Sequence, residues 1–141
     1  MKYGKGLALG TYDLFHVGHL HFLNSASKLC ENLIVAIDSD RRVLNYKGHL
    51  PVVQENQRAE IIKSLRFVDS VVINHYDWGP KEWIQLGIDL VFIGENWKDD
   101  PGWIKKEEQL KEYQVQTIYI TPQKGISTTL IINKIIEYYS K

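Results

Sequence analysis

The chain has 141 residues, 44% of them hydrophobic and 24% charged, and its 17 basic and 17 acidic residues cancel to a formal charge of zero. This composition excludes a disordered chain and argues against broad binding to nucleic acid or to an anionic membrane, which needs a basic surface. With one cysteine, no signal-peptide core and no run of about 20 apolar residues, we expect a cytoplasmic protein without a disulfide or membrane insertion.

Short apolar runs alternate with helical patterns along the chain. Five runs predict strands, at residues 7–9, 33–37, 71–73, 90–93 and 117–120. Apolar residues recur at helical spacing in three of the other segments, at residues 20–29, 61–65 and 131–139. This alternation indicates one Rossmann-like α/β domain over residues 1–141. Its open parallel five-stranded sheet carries helices on both faces.

Two longer connections, 40–55 and 94–102, follow the second and fourth predicted strands. In open α/β sheets, ligands bind beyond the carboxyl ends of the strands, where the strand order reverses. We therefore expect both connections to border one ligand crevice. The first is polar and contains Gly48 and Pro51, so we expect a mobile loop that orders over a bound triphosphate.

The segment from Thr11 to His19 places two histidines three residues apart, just after the first predicted strand. We interpret it as a tight turn followed by a helix whose first turn contains His16, Gly18 and His19. A helix N-terminus exposes unpaired N–H groups and the positive end of the helix dipole, which favour phosphate. Two imidazoles can donate to phosphate oxygens, and glycine allows close approach. The alternative is zinc, but no further ligand cluster completes a four-ligand site.

Residues 10–19 resemble the G-T-[FY]-D-x-[FL]-H-x-G-H signature of the HxGH nucleotidyltransferases. Two later segments are similar to motifs of the cytidylyltransferase branch. Residues 66–71 resemble R-Y-V-D-E-V, and residues 125–129 resemble the end of R-T-x-G-I-S-T-T. With three motifs in family order, nearly the whole chain resembles the bacterial glycerol-3-phosphate cytidylyltransferases.

The resemblance implies an enzyme that transfers CMP from CTP to a small phosphorylated acceptor and releases pyrophosphate. The expected acceptor is glycerol 3-phosphate or a related polyol, amino-alcohol or sugar phosphate, as in the synthesis of cell-surface precursors. Mg2+ is expected to arrive with the nucleotide rather than in a protein metal site, and the protein is expected to be a homodimer. Two alternatives stay open: an adenylyltransferase acting on a sugar phosphate, and a non-catalytic nucleotide-binding module.

The resemblance also assigns site residues. Four are expected to be catalytic: His16, His19, Lys47 and Arg58. The expected nucleotide contacts come from the three motifs and from residues 94–95: Gly10, Thr11, Tyr12, His16, Gly18, His19, Arg66, Asp69, Gly94, Glu95, Gly125, Ile126, Ser127, Thr128 and Thr129. The expected acceptor contacts are Asp13, Lys47, Asn96 and Trp97.

Two departures from the family pattern bear on the substrates. Pro122 stands where the family motif has an arginine, and its side chain donates no hydrogen bond, so we expect Lys124 to replace that cation in part. His49 lies where the glycerol-3-phosphate enzymes are lysine-rich. The Lys47-Gly48-x-x-Pro51 pattern is closer to the heptose-phosphate adenylyltransferases, which keeps ATP and other acceptors open.

Overall fold

The protein is described by a computed structural model that covers residues 3–140, in which five parallel strands form one sheet of order β3-β2-β1-β4-β5. The strands are β1 (Tyr3–Gly10), β2 (Cys30–Asp38), β3 (Ser70–Asn74), β4 (Leu90–Gly94) and β5 (Gln116–Ile120). All five predicted strands are therefore confirmed. Met1, Lys2 and Lys141, which the single-domain prediction includes, lie outside the described residues.

The helices are α1 (Val17–Ser27), α2 (Asp40–Lys47), α3 (Glu55–Lys63), α4 (Pro80–Ile84), α5 (Pro101–Glu112) and α6 (Thr128–Tyr139). The three predicted helices correspond to α1, α3 and α6. The sequence patterns did not predict α2, α4 and α5, although two of them have clear starts. The Ser39 hydroxyl accepts from the Arg42 N–H to cap α2, and the Asp100 carboxylate accepts from the Trp103 N–H to cap α5.

The sheet is covered on both faces, as predicted. Leu23 of α1 and Ile62 of α3 are fully buried against one face. Trp83 of α4 and Trp103 of α5 are buried against the other. Removing these large apolar side chains from water stabilises both layers. The structure therefore confirms a Rossmann-like α/β architecture.

The strand order reverses next to β1, which pairs with β2 on one side and β4 on the other. After β1 the chain adds β2 and β3 outward in one direction, and it then adds β4 and β5 in the other. This arrangement opens a crevice beyond the carboxyl ends of β1 and β4. The turn that contains both predicted catalytic histidines lies there.

The 40–55 connection differs from the predicted mobile loop. Its first half is α2, which ends where Gly48 adopts φ +81° in the left-handed region. Its second half is held by the Asp13 carboxylate, which accepts from the backbone N–H groups of Val52 at 2.8 Å and Val53 at 2.9 Å. The segment is therefore folded and tethered by protein contacts, and its mobility stays a prediction. Across residues 3–140, no helix combines the length and apolar character needed to cross a membrane.

Candidate active site

A cavity of about 900 Å³ opens at the carboxyl edge of the sheet. One side is lined by the β1–α1 turn and the start of α6, and the other by α2, the β3–α4 connection and α5. Its volume lies near the upper end of the roughly 300–1,000 Å³ range of small-molecule sites. The cavity is therefore large for a small-molecule site.

Two histidines at the start of α1 cap each other. His16 is the N-cap residue, and its Nδ1 accepts from the Gly18 N–H at 3.0 Å. Nδ1 of His19 accepts in turn from the His16 backbone N–H at 3.2 Å. A neutral imidazole that accepts at Nδ1 carries its proton at Nε2, so these contacts assign an Nε2–H donor to each ring. The buried Nε2 of His16 has no hydrogen-bond partner among the described residues, so this donor is available to a ligand.

The two imidazole rings stack, with their centroids 3.7 Å apart and their planes 23° apart. Burial lowers the pKa of His16 below its usual value. Burial, and secondarily His16, lowers the pKa of His19 to about 4, with a smaller lowering contribution from Lys47. Both rings are therefore neutral at pH 7. As neutral rings they can donate through their N–H groups, whereas Lys47 and the helix dipole can supply positive charge.

The glycine between the histidines is required by space. A Cβ atom on Gly18 would lie 2.8 Å from Cε1 of His16, too close for the capping geometry. Gly10 has a similar role, because its Cβ would lie 2.7 Å from the ring of Tyr12. Tyr12 is buried, adopts φ +57°, and packs its ring edge-on against His19 at 5.5 Å between centroids. The motif thus fixes the position of both imidazoles.

Most of the predicted site residues line the cavity. Those that do are Gly10, Thr11, Tyr12, Asp13, His16, Gly18, His19, Lys47, Gly94, Asn96, Trp97, Ile126, Ser127, Thr128 and Thr129. Five predicted site residues do not line it: Arg58, Arg66, Asp69, Glu95 and Gly125. The fold therefore brings the first motif, residues 96–97 and the start of α6 to one place, and leaves the segment around Arg66 elsewhere.

The start of α6 forms a second helix N-terminus at the cavity. The Ser127 hydroxyl caps α6 by accepting from the Leu130 N–H at 3.1 Å. The hydroxyl of Thr128 donates to the backbone carbonyl of Asp13 at 2.8 Å, which joins this helix to the β1–α1 turn. Both the capping and the phosphate-binding roles predicted for this segment are compatible, because the cap leaves other N–H groups of the first turn unpaired.

Lys47 reaches the cavity from the last turn of α2. The preceding residue, Tyr46, places its hydroxyl 2.9 Å from the Thr11 hydroxyl and donates to Asp38 at 3.3 Å. These contacts hold the end of α2 against the end of β1. Lys47 also lies close enough to His19 to lower its pKa. Lys47 therefore brings a positive charge to the cavity that the histidines also line.

Arg58 does not contact the cavity, and the predicted phosphate contact is not what this structure shows. Its side chain is 1% exposed and all of its bonds go to protein groups. Nε donates to the carbonyl of Val53, Nη1 donates to the carbonyls of Thr11 and Asp38, and Nη2 contacts the Asp40 carboxylate at 2.7 Å. The guanidinium therefore joins the segments that surround the site.

Arg66 and Asp69, predicted to contact the nucleotide, lie at the opposite edge of the sheet and do not line the cavity. Asp69 precedes β3, and its carboxylate accepts from the Leu33 N–H at 2.7 Å near the amino end of β2. Arg66 is exposed in the same connection. The resemblance at residues 66–71 therefore reflects a turn that holds β2 and β3 together.

Three further residues that were predicted to act at the site, Glu95, Gly125 and Lys124, do not line the cavity. The Glu95 carboxylate accepts from the Thr121 hydroxyl at 2.9 Å, and so joins the ends of β4 and β5 rather than facing the cavity. Gly125 adopts φ +81°, which explains the glycine by backbone conformation. Lys124 is exposed and does not line the cavity, whereas Pro122 and Gln123 do. The compensation predicted for Lys124 therefore has no contact to support it.

The sequence patterns missed the second side of the cavity, which we call the aromatic lobe and define by Asp38, Arg42, Tyr76, Trp78, Trp103 and Lys106. It lies on the α5 face of the sheet, across the edge from the histidines. Asp38 ends β2 and Asn74 ends β3, where its amide donates to Asp38 at 3.0 Å. Polar residues at two adjacent strand ends were the signal that could have found this side.

The comparisons with known proteins agree with this geometry. The sequence model of the cytidylyltransferase-like family matches residues 7–134. A protein named FAD synthase from Thermococcus sibiricus is 34% identical over 134 residues, which cover 92% of this chain and 90% of that protein. The FAD synthase of Pyrococcus abyssi is 32% identical, with the same coverage of both chains.

A solved structure resembles the fold as well. The lipopolysaccharide core biosynthesis protein from Thermoplasma volcanium superposes with a TM-score of 0.72 at 25% sequence identity, covering 87% of this chain and 98% of that chain. The match of the family model extends from β1 into α6 and includes both helix N-termini at the cavity. The chain therefore belongs to the cytidylyltransferase-like family, within the HxGH nucleotidyltransferase superfamily.

Proposed function

We propose that the chain transfers a nucleoside monophosphate from a nucleoside triphosphate to the phosphate of a small acceptor and releases pyrophosphate. The observation that carries this proposal is the pair of Nε2–H donors on His16 and His19 at the cavity wall. A second helix N-terminus, at Ser127, lies on the same side of the cavity. Two such N-termini are suited to the phosphates of one triphosphate.

In the proposed reaction an oxygen of the acceptor phosphate attacks the α-phosphorus of the triphosphate. The new P–O bond forms as the bond to the pyrophosphate oxygen breaks, and the leaving pyrophosphate takes the electron pair. The acceptor oxygen is already anionic, so no general base is needed. The Nε2–H groups of His16 and His19 donate to the α-phosphate oxygens, Lys47 neutralises developing charge, and the start of α6 holds the β- and γ-phosphates.

For the substrates, we propose ATP as the donor and flavin mononucleotide (FMN) as the acceptor. FAD is FMN joined to AMP, so an FAD synthase must make this bond, and two proteins of that name resemble the chain over 92% of its length. The aromatic lobe supports a flat-ring acceptor, because Trp78 and Tyr76 line the cavity there together with polar groups. A 900 Å³ cavity also suits two large ligands better than a nucleotide with glycerol 3-phosphate.

A second candidate is the cytidylyl transfer predicted from the sequence, with CTP as donor and a polyol, amino-alcohol or sugar phosphate as acceptor. Its support is the segment 125–129, of which Ile126 and residues 127–129 line the cavity. The Arg66 segment gives it no further support, because that segment lies at the other edge of the sheet. Pro122 lines the cavity where the cytidylyltransferase motif has an arginine, so the match to that motif is incomplete.

The experiment that tests both candidates measures pyrophosphate release with each of four nucleoside triphosphates against FMN, glycerol 3-phosphate and a sugar phosphate. We expect release with ATP and FMN, and FAD as the product by mass. Release only with CTP and a polyol or sugar phosphate would establish the second candidate. Triphosphate binding without pyrophosphate release in any combination would identify a non-catalytic nucleotide-binding module.

We also propose that Mg2+ enters with the triphosphate. Among residues 3–140 no group of three or more His, Cys, Asp or Glu side chains is arranged to hold a metal ion. The carboxylates of Asp13, beside the histidines, and of Asp38, in the aromatic lobe, are already hydrogen-bonded to protein groups. Magnesium commonly binds through substrate phosphates with few protein ligands, and it would neutralise the phosphates that the two helix N-termini contact. The cytoplasmic location expected from the sequence stays a prediction.

We propose that the protein is a homodimer, with α6 at the interface. None of the side chains of α6 is fully buried, and its last turns expose large apolar groups: Ile135 is 48%, Ile136 57%, Tyr138 66% and Tyr139 80% exposed. Apolar and aromatic side chains are enriched in the cores of such interfaces. Light scattering at micromolar concentration should give twice the chain mass of 16.4 kDa. A monomer mass, or a dimer that persists in Ile136→Asp, would exclude this interface.

A further inference from the structure

The charged groups of the aromatic lobe are largely satisfied by protein partners. The Asp38 carboxylate accepts from Asn74, Thr11 and Tyr46, and lies 3.6 Å from Nε of Arg42. The Arg42 Nη1 donates to two backbone carbonyls of the β3–α4 connection, at 3.1 and 2.8 Å. These contacts hold the lobe together, and the charges of both Asp38 and Arg42 already have protein partners.

Lys106 differs from these groups. It lines the same cavity from the second turn of α5 and is half-buried. Within residues 3–140 its ammonium makes no hydrogen bond and no ion pair, while nearby Asp100 caps α5 through the Trp103 N–H. A half-buried ammonium loses part of its hydration, and the described residues offer it no hydrogen-bond acceptor in return. Its N–H donors are therefore available to a ligand.

The place of Lys106 indicates which part of the ligand it meets. Nucleotidyl transfer requires the acceptor phosphate beside His16 and His19, on the α1 side of the sheet edge. Lys106 belongs to α5, which packs on the other face with Trp103. An acceptor that spans the cavity with its phosphate at the histidines therefore places its opposite end in the aromatic lobe.

We propose that Lys106 is a specificity-determining residue that donates a hydrogen bond to a ring carbonyl oxygen at the end of the acceptor remote from its phosphate. This inference rests on the proposed function and adds to it the group that selects the acceptor. The ring packs beside Trp78, and the ammonium supplies the polar contact that the aromatic side chains lack. An acceptor without such an oxygen, such as glycerol 3-phosphate, gains nothing from Lys106.

The electrostatic environment of Lys106 supports this assignment. Burial, and secondarily the nearby charge of Arg42, lowers the pKa of the Lys106 ammonium, while Asp100 and Asp38 oppose this in part. The charged form therefore carries an unfavourable free energy in the free protein. A carbonyl oxygen that accepts from the ammonium offsets that cost when the acceptor binds.

The test compares Lys106→Met with Lys105→Met. Lys105 is a matched control, because it is the preceding residue of α5, is exposed and does not line the cavity. FMN binding is measured by quenching of flavin fluorescence, and KM is measured separately for FMN and for ATP. We expect Lys106→Met to weaken FMN binding about tenfold and to raise the KM for FMN by the same factor. The KM for ATP should not change. Lys105→Met should bind FMN like the parent, and Lys106→Arg should retain most of the affinity.

The outcomes separate this inference from the proposed function. If the parent protein forms FAD and Lys106→Met binds FMN within twofold of it, the role of Lys106 is wrong and the proposed function stands. Equal weakening by the two methionine variants overturns the role as well, since only Lys106 lines the cavity. A parent protein that neither binds FMN nor uses it overturns the proposed acceptor and the role of Lys106 together.

Discussion

Asparagine in place of His16 is expected to lower kcat about 10²–10³-fold while the protein keeps its stability. The reason is that His16 has two functions on two different ring nitrogens. Nδ1 caps α1 by accepting from the Gly18 N–H, and Nε2 is the unpartnered donor in the cavity. Asparagine is itself a good N-cap residue, so the cap is retained. Only the donor to the α-phosphate is lost, at the cost typical of one preorganised transition-state donor.

His16→Ala provides the comparison that separates capping from catalysis. Alanine removes both functions, so we expect the same loss in kcat together with a decrease of about 1 kcal/mol in the free energy of unfolding. His21→Ala is the matched control, because His21 is an exposed histidine of the same helix that does not line the large cavity. Pyrophosphate release and urea unfolding measure the two effects. A His16→Asn protein with near-parent kcat would exclude His16 from the reaction.

His19→Gln tests the partner ring. The glutamine amide can place an N–H donor near the position of Nε2, but it lacks the Nδ1 that accepts from the His16 N–H. We expect it to retain more activity than His19→Ala in the same pyrophosphate assay. Because the two rings stack and cap each other, the losses from changing both should not add.

The strands and the first motif could be predicted from the sequence because their signals are local. Each strand is a short continuous apolar run, and the fold buries such runs on both faces. The His16-x-x-His19 spacing fixes a capping box within one helical turn, so no distant residue is needed to build it. Sequence patterns were therefore sufficient to predict the elements whose defining residues lie close together in the chain.

The second side of the cavity could not be predicted in the same way. Helix α2 is polar and only eight residues long, and Val43 is its one buried residue, so it has no clear apolar periodicity. Its position depends on Tyr46 meeting Thr11, 35 residues earlier in the chain. Lys106 follows Asp38 by 68 positions, and only the completed sheet brings their elements to one lobe. Such juxtapositions have no signature in one sequence.

Arg58 shows how the surroundings of a residue in the fold can differ from those that a resemblance implies. The family pattern predicts a phosphate contact, whereas the guanidinium is buried among the carbonyls of Val53, Thr11 and Asp38. A residue that holds three segments around a site supports the fold of that site without touching the ligand. The sequence alone does not separate the two roles, because burial depends on the packing of the 48–54 segment over α3.

Methionine in place of Arg58 is therefore expected to destabilise the whole protein, by about 3–5 kcal/mol in the free energy of unfolding. Methionine fills a similar volume but leaves three buried carbonyls and the Asp40 carboxylate without their donor. Arg58→Lys should recover only part of the loss, because an ammonium cannot reproduce the planar fork that reaches Val53, Thr11 and Asp40. Urea unfolding of the three proteins measures these differences.

Arg66→Met is the control for this change, because Arg66 is exposed and lies at the other edge of the sheet. It should change the free energy of unfolding by no more than about 0.5 kcal/mol. The same pair of variants also separates the two roles of Arg58. If Arg58 is structural, Arg58→Met at a temperature where it remains folded should bind triphosphate with nearly parent affinity, because no N–H of Arg58 faces the cavity. Parent-like stability combined with a large loss of triphosphate affinity would instead return Arg58 to the phosphate contact predicted from the resemblance.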